Sequence, residues 1–268
     1  MNYHFFPRVP GLRTTVTLAN FPPVDGAVDQ ARPEIAHAVW SDGTRWHSRA
    51  LAEVPPGTLF RVGEDSLPES GDGLIFLFLN PEHLPEILER PPITARRDTS
   101  PAWRANIRLA SATTATSFQG EYPGAMAALA KGTLLSIAPM SRAAPGCETL
   151  LLLANMRPDS AYGEARLEFL RLDDRTVVGE ATARFNQLTI ADLGAICGAD
   201  ERPVAVVSRE ITGIPLYLTR DPAGRHLSLE HSHPPAESVV FGERDAVQRT
   251  MKSWWLAAAE ARKTALAE

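Results

Sequence analysis

Glu148-Thr149-Leu150-Leu151-Leu152-Leu153-Ala154-Asn155-Met156 is apolar at almost every position between a charged start and an Ala-Asn close. An apolar run this short and unbroken predicts a strand covered on both faces. Near the start of the chain, Thr15-Val16-Thr17-Leu18-Ala19-Asn20-Phe21 has the same form. Both stretches end on Ala-Asn, then an apolar residue, then a polar loop containing proline. The pairing predicts a mainly β chain of two related halves.

Working outward, the first half offers a series of short strand signals. Ala36 to Trp40 and Arg45 to Arg49 flank Ser41-Asp42-Gly43-Thr44, and an Asp-Gly pair between such runs predicts a hairpin. Leu74 to Leu79 is apolar throughout and predicts a second fully covered strand. One helical turn is expected between Asn80 and Arg90. The acidic loop from Gly63 to Gly73 lacks the ligand spacing of a calcium loop and reads as a solvated turn. In the second half, Ala165 to Leu172 and Val177 to Ala183 flank Asp173-Asp174-Arg175-Thr176, and Val204 to Val207 answers Leu74 to Leu79. Pro92-Ile93 with Arg97-Asp98 matches Pro215-Leu216 with Arg220-Asp221, which sets Trp103–Leu109 against His226–His231.

These signals predict two tandem antiparallel β-sandwich domains, an internal duplication, followed by a C-terminal α-helix. Residues 1–112 form the first sandwich, 113–146 a connecting segment, 147–240 the second sandwich and 241–268 the helix. From Glu243 the chain has no Gly or Pro for twenty residues, and Val247, Met251, Trp254 and Ala258 fall on one helical face. That face is expected to dock within the chain, with homo-oligomer formation through the helix as the second reading.

Composition bounds the function. The chain has 268 residues, 44% apolar and 22% charged, within the range of globular proteins. A formal net charge of -5 without a basic stripe argues against nucleic acid. No apolar run reaches the roughly 20 residues of a membrane span, and the start lacks a signal-peptide core. Only Cys147 and Cys197 are present, so two buried thiols in a cytoplasmic protein are expected.

Two constellations carry candidate chemistry. Phe118, Gln119, Glu121 and Tyr122 crowd the connecting segment with the residue types that line clefts, and with Arg97 and Arg220 they form the candidate ligand-binding set. His231 and His233 on one strand face, with Glu237 after them, could hold a divalent metal. This His-x-His-x3-Glu spacing is similar to the first metal motif of the cupin family, although the later histidine of that family has no counterpart after Glu237. No nucleophile elbow, phosphate loop or His-Glu-x-x-His motif is present.

Glu148 to Asn155, Ala165 to Leu172, and Val204 to Val207 with Pro215 to Asp221 behind them resemble, in strand order, the sensory rhodopsin transducer family. Those are small soluble β-sandwich proteins also likened to carbohydrate-binding modules. The resemblance implies a β-sandwich used for binding and assembly. The expected function is a non-enzymatic protein that needs no cofactor and binds a carbohydrate-type ligand, with Trp40, Trp46 and Trp103 as further stacking candidates. The alternative is a metal-dependent or carbohydrate-active enzyme built on His231 and His233.

Overall fold

The computed structural model describes residues 2–21, 32–92, 105–120, 122–138, 146–198, 202–231 and 253–261. It is mainly β, in four antiparallel sheets. Contacts divide the chain into two units. Unit 1 is Met1–Ala130 with Met156–Tyr162 and Asn186–Leu188, and unit 2 is Lys131–Asn155, Gly163–Phe185 and Thr189–Glu268.

Unit 1 contains β1 (Asn2–Phe6), β2 (Arg13–Asn20), β3 (Glu34–Ser41), β4 (Trp46–Val54), β5 (Thr58–Gly63), β6 (Ile75–Asn80), β7 (Ile87–Leu88), β8 (Asn106–Ala110), β9 (Ala115–Gln119), β10 (Tyr122–Pro123) and the short α1 (Gly124–Ala127). Its sheets have the orders β10-β1-β6-β3-β4-β7 and β5-β2-β8-β9. The apolar run after Gly73 becomes β6, between β1 and β3, with Phe76, Leu77 and Phe78 wholly buried. The Asp-Gly hairpin forms as expected, with Trp40 opposite His47 and Ser41 opposite Trp46. Gly43 takes φ +89°, and a Cβ there would lie 2.8 Å from the Tyr162 ring, so glycine is required twice over. The helical turn expected between Asn80 and Arg90 does not form. Ile87 and Leu88 instead pair with His47 and Trp46 as β7.

Unit 2 contains β11 (Leu134–Ala138), β12 (Glu148–Ala154), β13 (Glu164–Arg171), β14 (Val177–Arg184), β15 (Leu188–Asp192), α2 (Leu193–Cys197), β16 (Val204–Ser208), β17 (Ile214–Arg220) and β18 (Leu227–His231). Its sheets run β11-β16-β13-β14 and β15-β12-β17-β18. Side chains from both, including Leu151, Leu153, Leu167, Phe169, Val206 and Tyr217, share one core with α2. The Asp192 side chain caps α2 by accepting the Gly194 amide at 2.8 Å.

The strand orders of the two units correspond. β1-β6-β3-β4 reads as β11-β16-β13-β14, and β5-β2-β8-β9 reads as β15-β12-β17-β18. The two Ala-Asn strands, β2 and β12, occupy the same place, as do β6 and β16. The matching of Trp103–Leu109 with His226–His231 is one strand out of step, because β8 stands where β17 does and β9 where β18 does.

The expectation of two tandem sandwiches is corrected. The larger sheet of unit 1 has six strands, because β10 and β7 extend its two edges. The units also interleave along the sequence, and hydrogen bonds give the reason. The Tyr122 hydroxyl accepts from the Met156 amide and donates to the Met156 carbonyl, both at 3.1 Å. The Asn186 carboxamide donates to the carbonyls of Asp159 and Ala161 and accepts from the Arg157 amide. Tyr162 donates to the Ser41 carbonyl at 2.8 Å. The expected connecting segment is likewise split, giving β10 to unit 1 and β11 to unit 2.

The tail is helical over 253–261, here α3. It lies on the second face of the β11-β16-β13-β14 sheet, where Trp255, Leu256 and Ala259 pack with Leu135, Leu170, Val177, Ala205 and Val207. The predicted face is corrected at Trp254, which is 54% exposed where Trp255 is only 6%; Ala258 packs half-buried against the same cluster, and Val247 and Met251 lie outside the described residues. The Arg175 guanidinium sits 5.6 Å and 5.7 Å from the two indole rings, which favours this rotation of the helix.

Candidate ligand-binding face

The residues singled out in the sequence do not come together as one site. Phe118 is 7% exposed and packs against Phe5, with ring centroids 6.1 Å apart. Tyr122 is fully buried against Phe76. Both are core residues of unit 1 and offer no ring to a ligand. Arg220, in unit 2, is held by Glu148 across the β12–β17 ladder at 2.5 Å. Its neighbour Asp221 takes the amides of Arg225 and His226 and so closes the β17–β18 turn. His231 ends β18 opposite Leu216. Arg97, Glu121, His233 and Glu237, with Trp103, lie outside the described residues. Among the described residues, no three His, Cys, Asp or Glu side chains are grouped to hold a metal ion. Cys147 is half-buried and Cys197 buried. No described helix is long and apolar enough to cross a membrane.

The β3–β4 hairpin carries the most conspicuous polar cluster. His47 stacks on Trp40 at 5.4 Å and places Nε2 2.8 Å from Asp42. The other oxygen of Asp42 accepts from the Thr44 hydroxyl and from the Thr44 and Arg45 amides. The Thr44 hydroxyl above all, then the His47 ring and those amides, hold the Asp42 carboxyl well below the usual carboxylate range. A carboxylate so fully occupied organises a turn and is a poor general base. Trp46 is buried on the opposite face of the hairpin.

An open cleft of about 370 Å³ lies over β13 and β14, lined by Glu164, Arg166, Glu180, Thr182 and Glu210. Here Arg166 is saturated by Glu168 and Glu180, and its amide by Glu210. Among the described residues lining the cleft, Arg166 is the one cation, and it is committed.

The outer face of the β5-β2-β8-β9 sheet is different in kind. Strand alternation turns Val16, Leu18, Ile107 and Phe118 inward and sets the intervening residues outward. Registers place Arg61, Thr17, Asn106 and Gln119 side by side across all four strands. The next row is Gly63, Thr15, Arg108 and Ser117, and Arg13 opens the row beyond. Arg13, Arg61, Arg108, Ser117 and Gln119 are exposed, the rest half-buried. A Cβ on Gly63 would meet nothing within 4 Å, so the face is open there too. None of the three arginines forms an ion pair among the described residues. By contrast, Arg166, Arg171, Arg202, Arg209, Arg220 and Arg225 of unit 2 are all paired with carboxylates.

Gln119 is the one described residue of the sequence-derived set that lies on this face. The signal for the others was the Thr15-Val16-Thr17-Leu18 alternation, which marks two hydroxyls facing out of a strand whose other side is core. The chain matches no protein-family model, no curated protein and no solved structure, so the site is argued from its own residues.

Proposed function

We propose that this chain is a non-enzymatic binding protein whose carbohydrate-type ligand lies on the outer face of the β5-β2-β8-β9 sheet. The observation that carries the reading is the double row of polar side chains, Arg61-Thr17-Asn106-Gln119 beside Thr15-Arg108-Ser117. Hydroxyl, carboxamide and guanidinium groups together supply the donors and acceptors that sugar hydroxyls need. Four hydrogen-bonded strands hold them in fixed register, so little order is lost on binding. These positions include no carboxylate, imidazole or thiol, which suits a surface that binds rather than reacts.

We further propose that the two units descend from one unit of two four-stranded sheets. The matched strand orders support this. On this reading the outer faces of β2 and β12 have diverged. The β12 face carries Leu150 and Leu152, both buried, where β2 carries Thr15 and Thr17.

A glycan panel tests the proposal, comparing the native chain with an Asn106→Ala, Gln119→Ala variant. At least one glycan should bind the native chain, and the variant should bind it about fivefold to tenfold more weakly, as expected for two lost hydrogen bonds of roughly 0.5–1.5 kcal/mol each with partial compensation by water. Equal binding by both proteins would remove the face from the account.

A further inference from the structure

We infer that the ligand of this face is a linear, negatively charged glycan bearing carboxylate or sulfate groups; the inference rests on the binding role proposed above. Arg61 neighbours Thr17 on β5, Arg108 neighbours Thr15 on β8, and Arg13 lies on β2 itself. With about 4.8 Å between strands and about 3.4 Å per residue, successive guanidinium rows are spaced ~7 Å along β2. Arg61 and Arg108 stand on opposite sides of it. A chain laid along β2 meets a cation at each of three successive rows, those of Thr17, Thr15 and Arg13, and beyond them the Ala19 row carries the exposed Leu59.

The strand positions on this face include no acid. Glu64, which adjoins it, is turned to the Thr14 amide at 3.3 Å. In a chain with net charge -5, three unneutralised arginines on one sheet face are a local reversal of sign. Arginine is suited to carboxylate and sulfate because its planar fork donates two parallel hydrogen bonds. The intervening Thr15, Thr17 and Asn106 suit the uncharged hydroxyls between anionic groups. Nucleic acid fits less well, because the described strand positions of this face offer no aromatic ring on which a base could stack.

The test uses the full chain with dextran sulfate, polygalacturonate, unmodified dextran and single-stranded DNA as probes, and an Arg61→Gln, Arg108→Gln variant. Both substitutions are at exposed positions, and circular dichroism verifies the fold. The native chain should bind dextran sulfate or polygalacturonate more tightly than unmodified dextran, with affinity falling as salt rises. The variant should lose about tenfold at low salt, the scale of two exposed charge contacts. Equal binding of unmodified dextran, weakened by Asn106→Ala, Gln119→Ala but not by the arginine pair, would overturn the charge assignment and leave the binding role standing. Tighter binding of DNA would overturn the glycan assignment. No binding of any probe, with a glycan panel also blank, would overturn both.

Discussion

Tyr217 stands on β17 with its hydroxyl 2.9 Å from the Ser136 hydroxyl, inside the core that joins the two sheets of unit 2. Burial is the chief cause that pushes this phenol from 10.0 up to about 12. The folded state therefore holds the proton after the unfolded chain has released it. Its contribution is complete below pH 10 and is lost as pH rises towards 12, at most roughly 2–3 kcal/mol. Urea unfolding between pH 9 and 12 should show a shallower loss of stability in Tyr217→Phe than in the native chain. An unchanged slope would place the alkaline sensitivity elsewhere. The same scale shows what the sequence made legible at single positions. Phe118 and Gln119 are adjacent on β9, so they must face opposite ways: Gln119 goes to the open face and Phe118 to the core. Crowding of aromatic and polar residues resembled a cleft, whereas alternation decided which of them could touch a ligand. Tyr122 was still harder to read, because its hydroxyl is satisfied by a backbone group 34 residues away.

Among the elements, the β3–β4 hairpin was legible at its turn, because Asp-Gly chemistry is local, but not in its strand ends, which extend to Glu34 and Val54. The C-terminal helix was legible as a helix but not in its rotation. Tryptophans at consecutive positions make two apolar stripes compete, and periodicity alone cannot rank them. The sheet ranks them: Trp255, Leu256 and Ala259 meet its apolar face, and Arg209 donates to the Leu256 carbonyl at 2.8 Å and pairs with Glu260. Trp255→Ala is expected to destabilise unit 2 by about 3–5 kcal/mol, the cost of emptying a buried indole site. Trp254→Ala should cost no more than about 1 kcal/mol, mainly its share of the Arg175 contact. Thermal unfolding of the two variants checks this, and equal losses would contradict the orientation of α3. In unit 1, Gly43→Ala should destabilise by roughly 1–3 kcal/mol through its positive φ and the Tyr162 ring together, measurable by the same unfolding experiment.

At the scale of the whole molecule, the corresponding strand orders of the two units accord with the Ala-Asn ending that the sequence repeats at β2 and β12. The register of that correspondence was not visible, since β8 and β17 differ in length and in their flanking loops, and a Pro and Arg-Asp match drew the alignment one strand away. Nor was the interleaving of the units visible. It depends on Asn186 and Tyr122 holding segments distant in sequence, and no local propensity encodes such contacts. The proposed binding face was legible only in part, because four strands from three separated regions contribute to it.

Side-chain NMR of the arginines is the sharpest test of whether this face takes the ligand. On titration with dextran sulfate, the Nε–Hε resonances of Arg13, Arg61 and Arg108 should shift together and saturably, while those of Arg166 and Arg202, already committed to carboxylates, stay in place. Shifts confined to other arginines, with these three unmoved, would contradict that placement of the ligand.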